Sequence, residues 1–312
     1  MADYDASSEC ESTPQWPQGF RGAALHSGVK ADANREDLAL IVSDRPCVGA
    51  GVYTQNIVHG APVKLNRQRT PSDKVQAVVV NSGVANACTG EQGFRDAQRM
   101  AQIVADACGL QEEQVLVMST GVIGHMLPMA KIEAGIHAAS ERLDDGAGSL
   151  QAAARGMMTT DTRPKICSRE IALTHGAVRV TGLAKGAAMI GPNMATMLAV
   201  ITTDAHIKLS DAHGLLKDAA DESFNCISVE GHMSTSDTVL LLANGAAGGP
   251  ELEGSDLAKF RATLVEVCED LAQSIPADGE GATHLITVEV HGCRTRAEAV
   301  RISKTVADSP LV

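Results

Sequence analysis

The stretch from Lys185 to Ala205, KGAAMIGPNMATMLAVITTDA, gathers residue types suited to acyl-transfer chemistry. Gly186, Ala187 and Ala188 are small, so the backbone there can come close to other atoms. Gly191-Pro192-Asn193 is a turn signal, and Met194-Ala195-Thr196 leads directly into an apolar, strand-like run. A Thr that opens a buried strand just after a tight turn is well placed to attack the carbonyl that precedes it. The resulting N-to-O acyl shift would cut the chain between Ala195 and Thr196. The α-amine freed on Thr196 would then be the general base for its own hydroxyl, a recognised way to activate a Thr nucleophile. Thr is also a good strand former, so the position alone demands no chemistry.

Three other segments carry groups such a nucleophile would need. Ser119-Thr120-Gly121 closes a strand-like run. A hydroxyl and a glycine N–H there could form an oxyanion hole, although a plain strand-ending turn has the same sequence. Thr159-Thr160-Asp161-Thr162 offers three hydroxyls and a carboxylate at the end of a helical stretch, to hold a polar substrate or simply to cap and turn the chain. Asp278-Gly279-Glu280-Gly281-Ala282 reads as a flexible acidic loop in which Glu280 could hold a substrate amine or remain solvated. The His residues show no H-E-x-x-H or other paired metal spacing, so no catalytic metal is expected. No phosphate-binding G-x-x-x-x-G-K-[ST] loop occurs.

The elements that must position these groups alternate between short strands and helices. Leu38–Val42, Val75–Val80, Val115–Met118, Ala177–Val180, Met197–Ile201, Thr238–Leu242 and Leu285–Val290 read as strands. Phe94–Cys108, Pro128–Ala139 and Ser255–Ile275 read as helices. In the last of these, Leu257, Phe260, Leu264, Val267 and Leu271 form one apolar stripe behind a candidate N-cap at Ser255. The pattern predicts an α/β protein of layered sheets and helices. Residues 1–17 read as a loosely attached arm.

The chain has 312 residues and a net charge of −12, and aromatic residues make up 2% of it. An acidic surface with few aromatic platforms argues against nucleic acid and anionic membranes as partners. No apolar run is long enough to span a bilayer. The eight cysteines include no C-x-x-C pair, and the N-terminus lacks the basic and apolar regions of a leader, so reduced thiols in the cytoplasm are expected.

Taken together, six segments resemble the glutamate N-acetyltransferase (ornithine acetyltransferase) family, and they occur in that family's order. They are NSGVANACTGEQG at 81–93, STGVIG at 119–124, MTTDTRPK at 158–165, KGAAMIGPNMATML at 185–198, STSDTVLLLANG at 234–245 and DGEGAT at 278–283. The resemblance implies self-cleavage between Ala195 and Thr196 into chains 1–195 and 196–312, with 18–195 as the N-terminal domain, on a self-cleaving, N-terminal-Thr acetyltransferase fold. It implies that Thr196 takes an acetyl group from N-acetylornithine and passes it to glutamate, in arginine biosynthesis. It implies an oxyanion hole from Thr120 and Gly121, and substrate contacts from Lys185, Glu280 and either Thr160 or Thr162. Acetyl-CoA as a co-substrate, no bound cofactor, and a heterotetramer of two α and two β chains also follow from it.

Two departures qualify the resemblance. An acidic residue and a Thr of the family pattern are replaced by His232 and Met233, beside the expected junction support. The family pattern also continues past SKTVADSPLV into a C-terminal portion with two further substrate contacts, so a shortened C-terminus is expected. Two competing functions share these features: an N-terminal-Thr amidase or aminopeptidase, in which water replaces glutamate, and a catalytically impaired truncated homologue.

Overall fold

Alternating burial within the strands determines the architecture, which a computed structural model describes for residues 13–191, 197–309 and 311. In chain order the elements are β1 (Phe20–Leu25), β2 (Leu38–Tyr53), α1 (Ala61–Arg69), β3 (Ser72–Val84), α2 (Gly90–Cys108), β4 (Val115–Val122), α3 (Met129–Ser140) and α4 (Ala147–Met157). They continue with β5 (Lys165–Leu173), β6 (Gly176–Lys185), β7 (Leu198–Thr203), α5 (Leu209–Glu222), β8 (Thr238–Ala243), α6 (Gly254–Ser274) and α7 (Arg296–Ala307). The strands form one mixed sheet in the order β4-β3-β2-β8-β7-β6-β5, with β1 paired to β2. β7 and β8 thus lie between β2 and β6, so the segments on either side of the Ala195–Thr196 bond share one sheet.

The long strand β2 joins two halves of this sheet. Its first part pairs with β1 and β3, its register against β3 shifts between Val42 and Gly49, and its last part pairs with β8. Such irregularities bend a strand. Val78 and Val80 of β3 and Leu116 and Met118 of β4 share one core with Leu198 and Val200 of β7 and Leu240 and Leu242 of β8. The two halves therefore face each other, with α4 contributing Leu150, Ala153, Ala154 and Met157 to the same core. The alternate residues of each strand point outward. Val79 and Val117 meet Met100 and Val104 of α2 and Ile132 and Ile136 of α3. Ile201 and Leu241 meet Leu216 of α5 and Phe260, Leu264 and Leu271 of α6. The result is helix on sheet on sheet on helix, in line with the layered α/β reading.

Several expectations need correction. Leu285–Val290 is not a strand. Its alternation needs a neighbour to supply backbone partners, no described strand lies beside it, and Ile286 is left 62% exposed. Residues 15–17 do not belong to a loose arm: Trp16 is buried and donates its indole N–H to Ser149 Oγ at 2.9 Å, and Gln15 O accepts from the Thr181 hydroxyl at 2.6 Å. Ser255 lies inside the first turn of α6, whose cap is Glu253, and Pro128 caps α3 instead of opening its first turn. The sequence reading gave no bounds for the helical stretch before Thr159, which is α4, and missed β1, β5, α1, α5 and α7.

Phe260 is fully buried at the centre of the α5–α6 core. Phe260→Ala should cost about 3–5 kcal/mol, seen as a lower urea midpoint with an unchanged denaturant slope.

Candidate active site

A buried lysine amine marks the place where the two half-sheets meet. Lys185 ends β6, paired with Leu198 at the start of β7, and is 3% exposed. Its Nζ donates to Thr120 Oγ1 on β4 at 3.4 Å, across the sandwich. Burial pushes the Lys185 amine below its ordinary range, Asp161 draws it back, and Lys165 pushes it down again. Asp237 and Glu280 also act to keep it charged.

Thr120 is buried and Gly121 is exposed where β4 ends. Gly121 has φ +131°, and a Cβ there would sit 2.2 Å from the carbonyl carbon of Gly83 on β3. Only glycine permits this approach. It leaves the Thr120 hydroxyl and the Gly121 backbone together at the strand end, as an oxyanion hole requires.

Asp161 anchors the segment that follows α4. Its Oδ1 accepts from Lys165 Nζ at 2.8 Å and from Gly186 N at 2.6 Å, and its Oδ2 accepts from Thr159 N at 3.0 Å. Burial alone would raise its carboxyl, but Lys185 and then Lys165 outweigh burial and hold it at about 2. Lys165 Nζ also reaches Asp278 Oδ2 at 2.6 Å. Asp278 in turn accepts from the Thr162 backbone N–H at 3.1 Å and from the Thr162 hydroxyl. The loop at 278–280 is therefore not a free acidic loop, because its Asp is buried and ion-paired. Glu280 is exposed, and its backbone N–H donates to Ala187 O at 2.8 Å. From the opposite side, Lys30 Nζ donates to Met158 O at 2.7 Å, and Arg35 donates to Thr159 O. Burial, helped by Arg35, brings the Lys30 amine down to about 8.

The structure thus brings Thr120, Gly121 and Lys185 together and ties the Glu280 loop to the residue pair after Lys185. Of the two candidate threonines, Thr162 uses its hydroxyl on Asp278. Thr160 is exposed, and its side chain makes no hydrogen bond among the described residues. Ala195 and Thr196 lie outside the described residues, but the segments that flank them are fixed. Ile190 O accepts three backbone N–H groups, from Val229 at 2.9 Å, Glu230 at 3.3 Å and Gly231 at 3.2 Å, and Met197 N donates to Asp237 Oδ1 at 3.0 Å. His232 is exposed and Met233 partly so, while the backbone contact of this loop with Ile190 is made one to three residues earlier. Among the described residues no group of three or more His, Cys, Asp or Glu is placed to hold a metal. Sequence reasoning gave no role to Lys165 or Asp237, and placed Asp278 in a flexible acidic loop. Pairing between residues far apart in the chain leaves no mark in local spacing.

The depressed carboxyl of Asp161 has a pH signature. Its contribution is fully present above the unfolded value of 3.8 and is lost as pH falls towards its folded value of about 2. The melting temperature should fall from about pH 5 to about pH 2, and Asp161→Asn should flatten that slope while lowering stability at the upper end. Lys165→Met, which strands two buried carboxylates, should cost about 3–5 kcal/mol near neutral pH.

The ArgJ family model matches residues 21–312. An arginine biosynthesis bifunctional protein ArgJ of Symbiobacterium thermophilum is 47% identical over 95% of this chain and 74% of its own length. A mitochondrial counterpart from Chaetomium globosum is 47% identical over 95% of this chain and 65% of its own. The chain thus spans 74% and 65% of the length of these two curated relatives. The crystal structure of an ArgJ protein from Bacillus halodurans, 39% identical, matches with a TM-score of 0.54 over 57% of this chain and 91% of that one. An ornithine acetyltransferase from Mycobacterium tuberculosis, crystallised with ornithine, matches with a TM-score of 0.54 at 36% identity, over 58% of this chain and 96% of that one. An L-aminopeptidase D-Ala-esterase/amidase from Ochrobactrum anthropi, described as a variant of the Ntn hydrolase fold, is 10% identical with a TM-score of 0.52 over 84% of this chain and 86% of that one, a likeness of fold alone. With the family pattern covering nearly its whole length, the chain belongs to the ArgJ family.

Proposed function

We propose that the chain moves an acetyl group from N-acetylornithine to glutamate through an acyl-Thr196 intermediate, after cutting itself between Ala195 and Thr196, as a step of arginine biosynthesis. The observation that carries this reading is the meeting of Lys185 Nζ with Thr120 Oγ1 beside the start of β7, the strand that Thr196 precedes by two residues. On this reading Lys185 supplies a cation there and Thr120 and Gly121 the oxyanion donors, next to the sequence position of the nucleophile.

The chemistry follows from these placements. The α-amine of Thr196 takes the proton of its hydroxyl as the hydroxyl oxygen attacks the acetyl carbonyl. The Thr120 hydroxyl and the Gly121 N–H stabilise the developing oxyanion. The proton passes to the leaving amine, and ornithine departs. The amine of glutamate then attacks the Thr196 ester, its proton returns to the Thr196 hydroxyl, and N-acetylglutamate is released. Lys185 suits the α-carboxylate common to both amino acids, and Glu280 suits an ammonium. Thr160, whose hydroxyl makes no hydrogen bond among the described residues, is the contact favoured over Thr162. The acetyl group travels on Thr196 itself, so no bound cofactor is needed, and acetyl-CoA is an alternative donor. Two α chains, 1–195, and two β chains starting at Thr196 form the mature assembly in the cytoplasm. Among the described residues no helix is long and apolar enough to cross a membrane, and the charge of −12 disfavours nucleic acid.

Release of ornithine from N-acetylornithine should require glutamate and yield N-acetylglutamate in equal amount. Release at the same rate as free acetate, without glutamate, would mark a hydrolase instead. Thr196→Ala should abolish both self-cleavage and transfer. Lys185→Ala should raise KM by about 10- to 100-fold, the loss of one charge-assisted hydrogen bond, while the chain still cuts. An unchanged KM would remove Lys185 from the binding site.

A further inference from the structure

The connection between β1 and β2, residues 26–37, has no part in the transfer chemistry above, yet it reaches the site. Asp37 holds this loop in shape. Its buried carboxylate accepts from Ser27 N at 2.6 Å, from the Ser27 hydroxyl at 2.7 Å, from Gly28 N at 3.1 Å and from Lys30 N at 2.9 Å. Four charge-assisted bonds to one carboxylate fix the backbone without any helix or strand. Lys30 and Arg35 then extend from the loop onto the segment that carries Thr160. Lys30 Nζ donates to Glu36 O and to Met158 O, each at 2.7 Å, and Arg35 donates to Thr159 O. A Cβ added at Gly83 would lie 3.4 Å from Lys30 Cγ, and Gly83 is the residue against which Gly121 packs. Lys30 thus stands beside the strand end that holds Thr120 and Gly121.

Both cations are half-buried, and both are bonded to carbonyls instead of carboxylates. The acids around them are engaged elsewhere: Glu36 with Arg155, Asp161 with Lys165, and Asp37 with the loop backbone. Arg35 and Lys185 both repel the Lys30 amine, which at about 8 still largely holds its proton at neutral pH. Three cations that repel one another, in a chain of net charge −12, call for an anionic ligand. The proposed reaction contains one. N-acetylornithine and glutamate share the α-carboxylate that Lys185 suits, but their side chains end in opposite charges. Glu280 suits the ammonium of the donor and would repel a second carboxylate. We propose that Lys30 and Arg35 form the subsite for the side-chain carboxylate of glutamate. One pocket then takes the donor through Glu280 and the acceptor through Lys30 and Arg35, with Thr160 between them in sequence and in the clamp. This inference rests on the acetyl-transfer reading.

The test is calorimetric titration of glutamate, glutamine and ornithine into the purified full chain and into its Lys30→Met variant. Lys30→Met keeps a long apolar stem and removes the cation, and glutamine keeps the shape of glutamate without its second charge. The ratio of glutamate affinity to ornithine affinity should fall at least about 10-fold, the loss of one charge-assisted contact. The preference for glutamate over glutamine should fall with it. A clamp that only supports Thr160 would weaken all three ligands alike, so ratios that stay at their wild-type values overturn the subsite. If Lys30→Met does not fold, Arg35→Gln must lower both ratios, and unchanged ratios there overturn it equally. A wild-type chain that binds neither glutamate nor ornithine defeats the acetyl-transfer reading and the subsite with it. A wild-type chain that binds both, yet does not prefer glutamate to glutamine, defeats the subsite alone.

Discussion

The site depends on one buried ionic interaction, the bridge from Asp161 through Lys165 to Asp278. Taking three charges out of water is expensive, and a buried ion pair by itself is poor evidence of stability. Here the remaining valences are filled by the N–H groups of Thr159, Thr162 and Gly186 and by the Thr162 hydroxyl. These bonds give the bridge its positional role. It joins the segment after α4 to the turn after α6, and through Gly186 it fixes the backbone directly after Lys185. A single network thereby sets the places of Thr160, Lys185 and Glu280, which come from three separate parts of the chain.

The folded sheet supplies the other half of the arrangement. Because β2 carries the chain from one half-sheet to the other, the ends of β4 and β6 face each other at one edge of the shared apolar core. The Lys185–Thr120 contact closes that edge with a polar pair, where a side chain from each half can reach the same small volume. Packing makes this arrangement rigid: the strands beneath it are buried on both faces, so the strand ends cannot drift without disturbing all three cores.

Much of this was legible in the sequence. The strands at 75–80 and 238–242 and the helix at 255–275 were read because periodicity reports burial, and burial is what formed them. Alternation at 285–290 misled because a strand also needs a partner, which its own sequence does not supply. Trp16 was read as part of a loose arm from its polar neighbours, although its indole is anchored by Ser149, far away in the chain. For the site, no single segment was specific; six in order identified the family, and the motifs drew attention to Thr120, Lys185 and Glu280. The supporting partners Lys165, Asp278 and Asp237 were not legible as partners. Their meaning lies in contacts between residues far apart in sequence, and no spacing rule encodes those.

The central claim is that Thr196 carries the acetyl group. It is tested most directly by incubating the purified chain with N-acetylornithine in the absence of glutamate, quenching with acid and taking the intact mass. The account predicts a fragment that begins at Thr196 and is heavier by one acetyl group, which disappears when glutamate is added before the quench. An unmodified fragment under turnover conditions, or an acetyl group that maps to another residue, would contradict it.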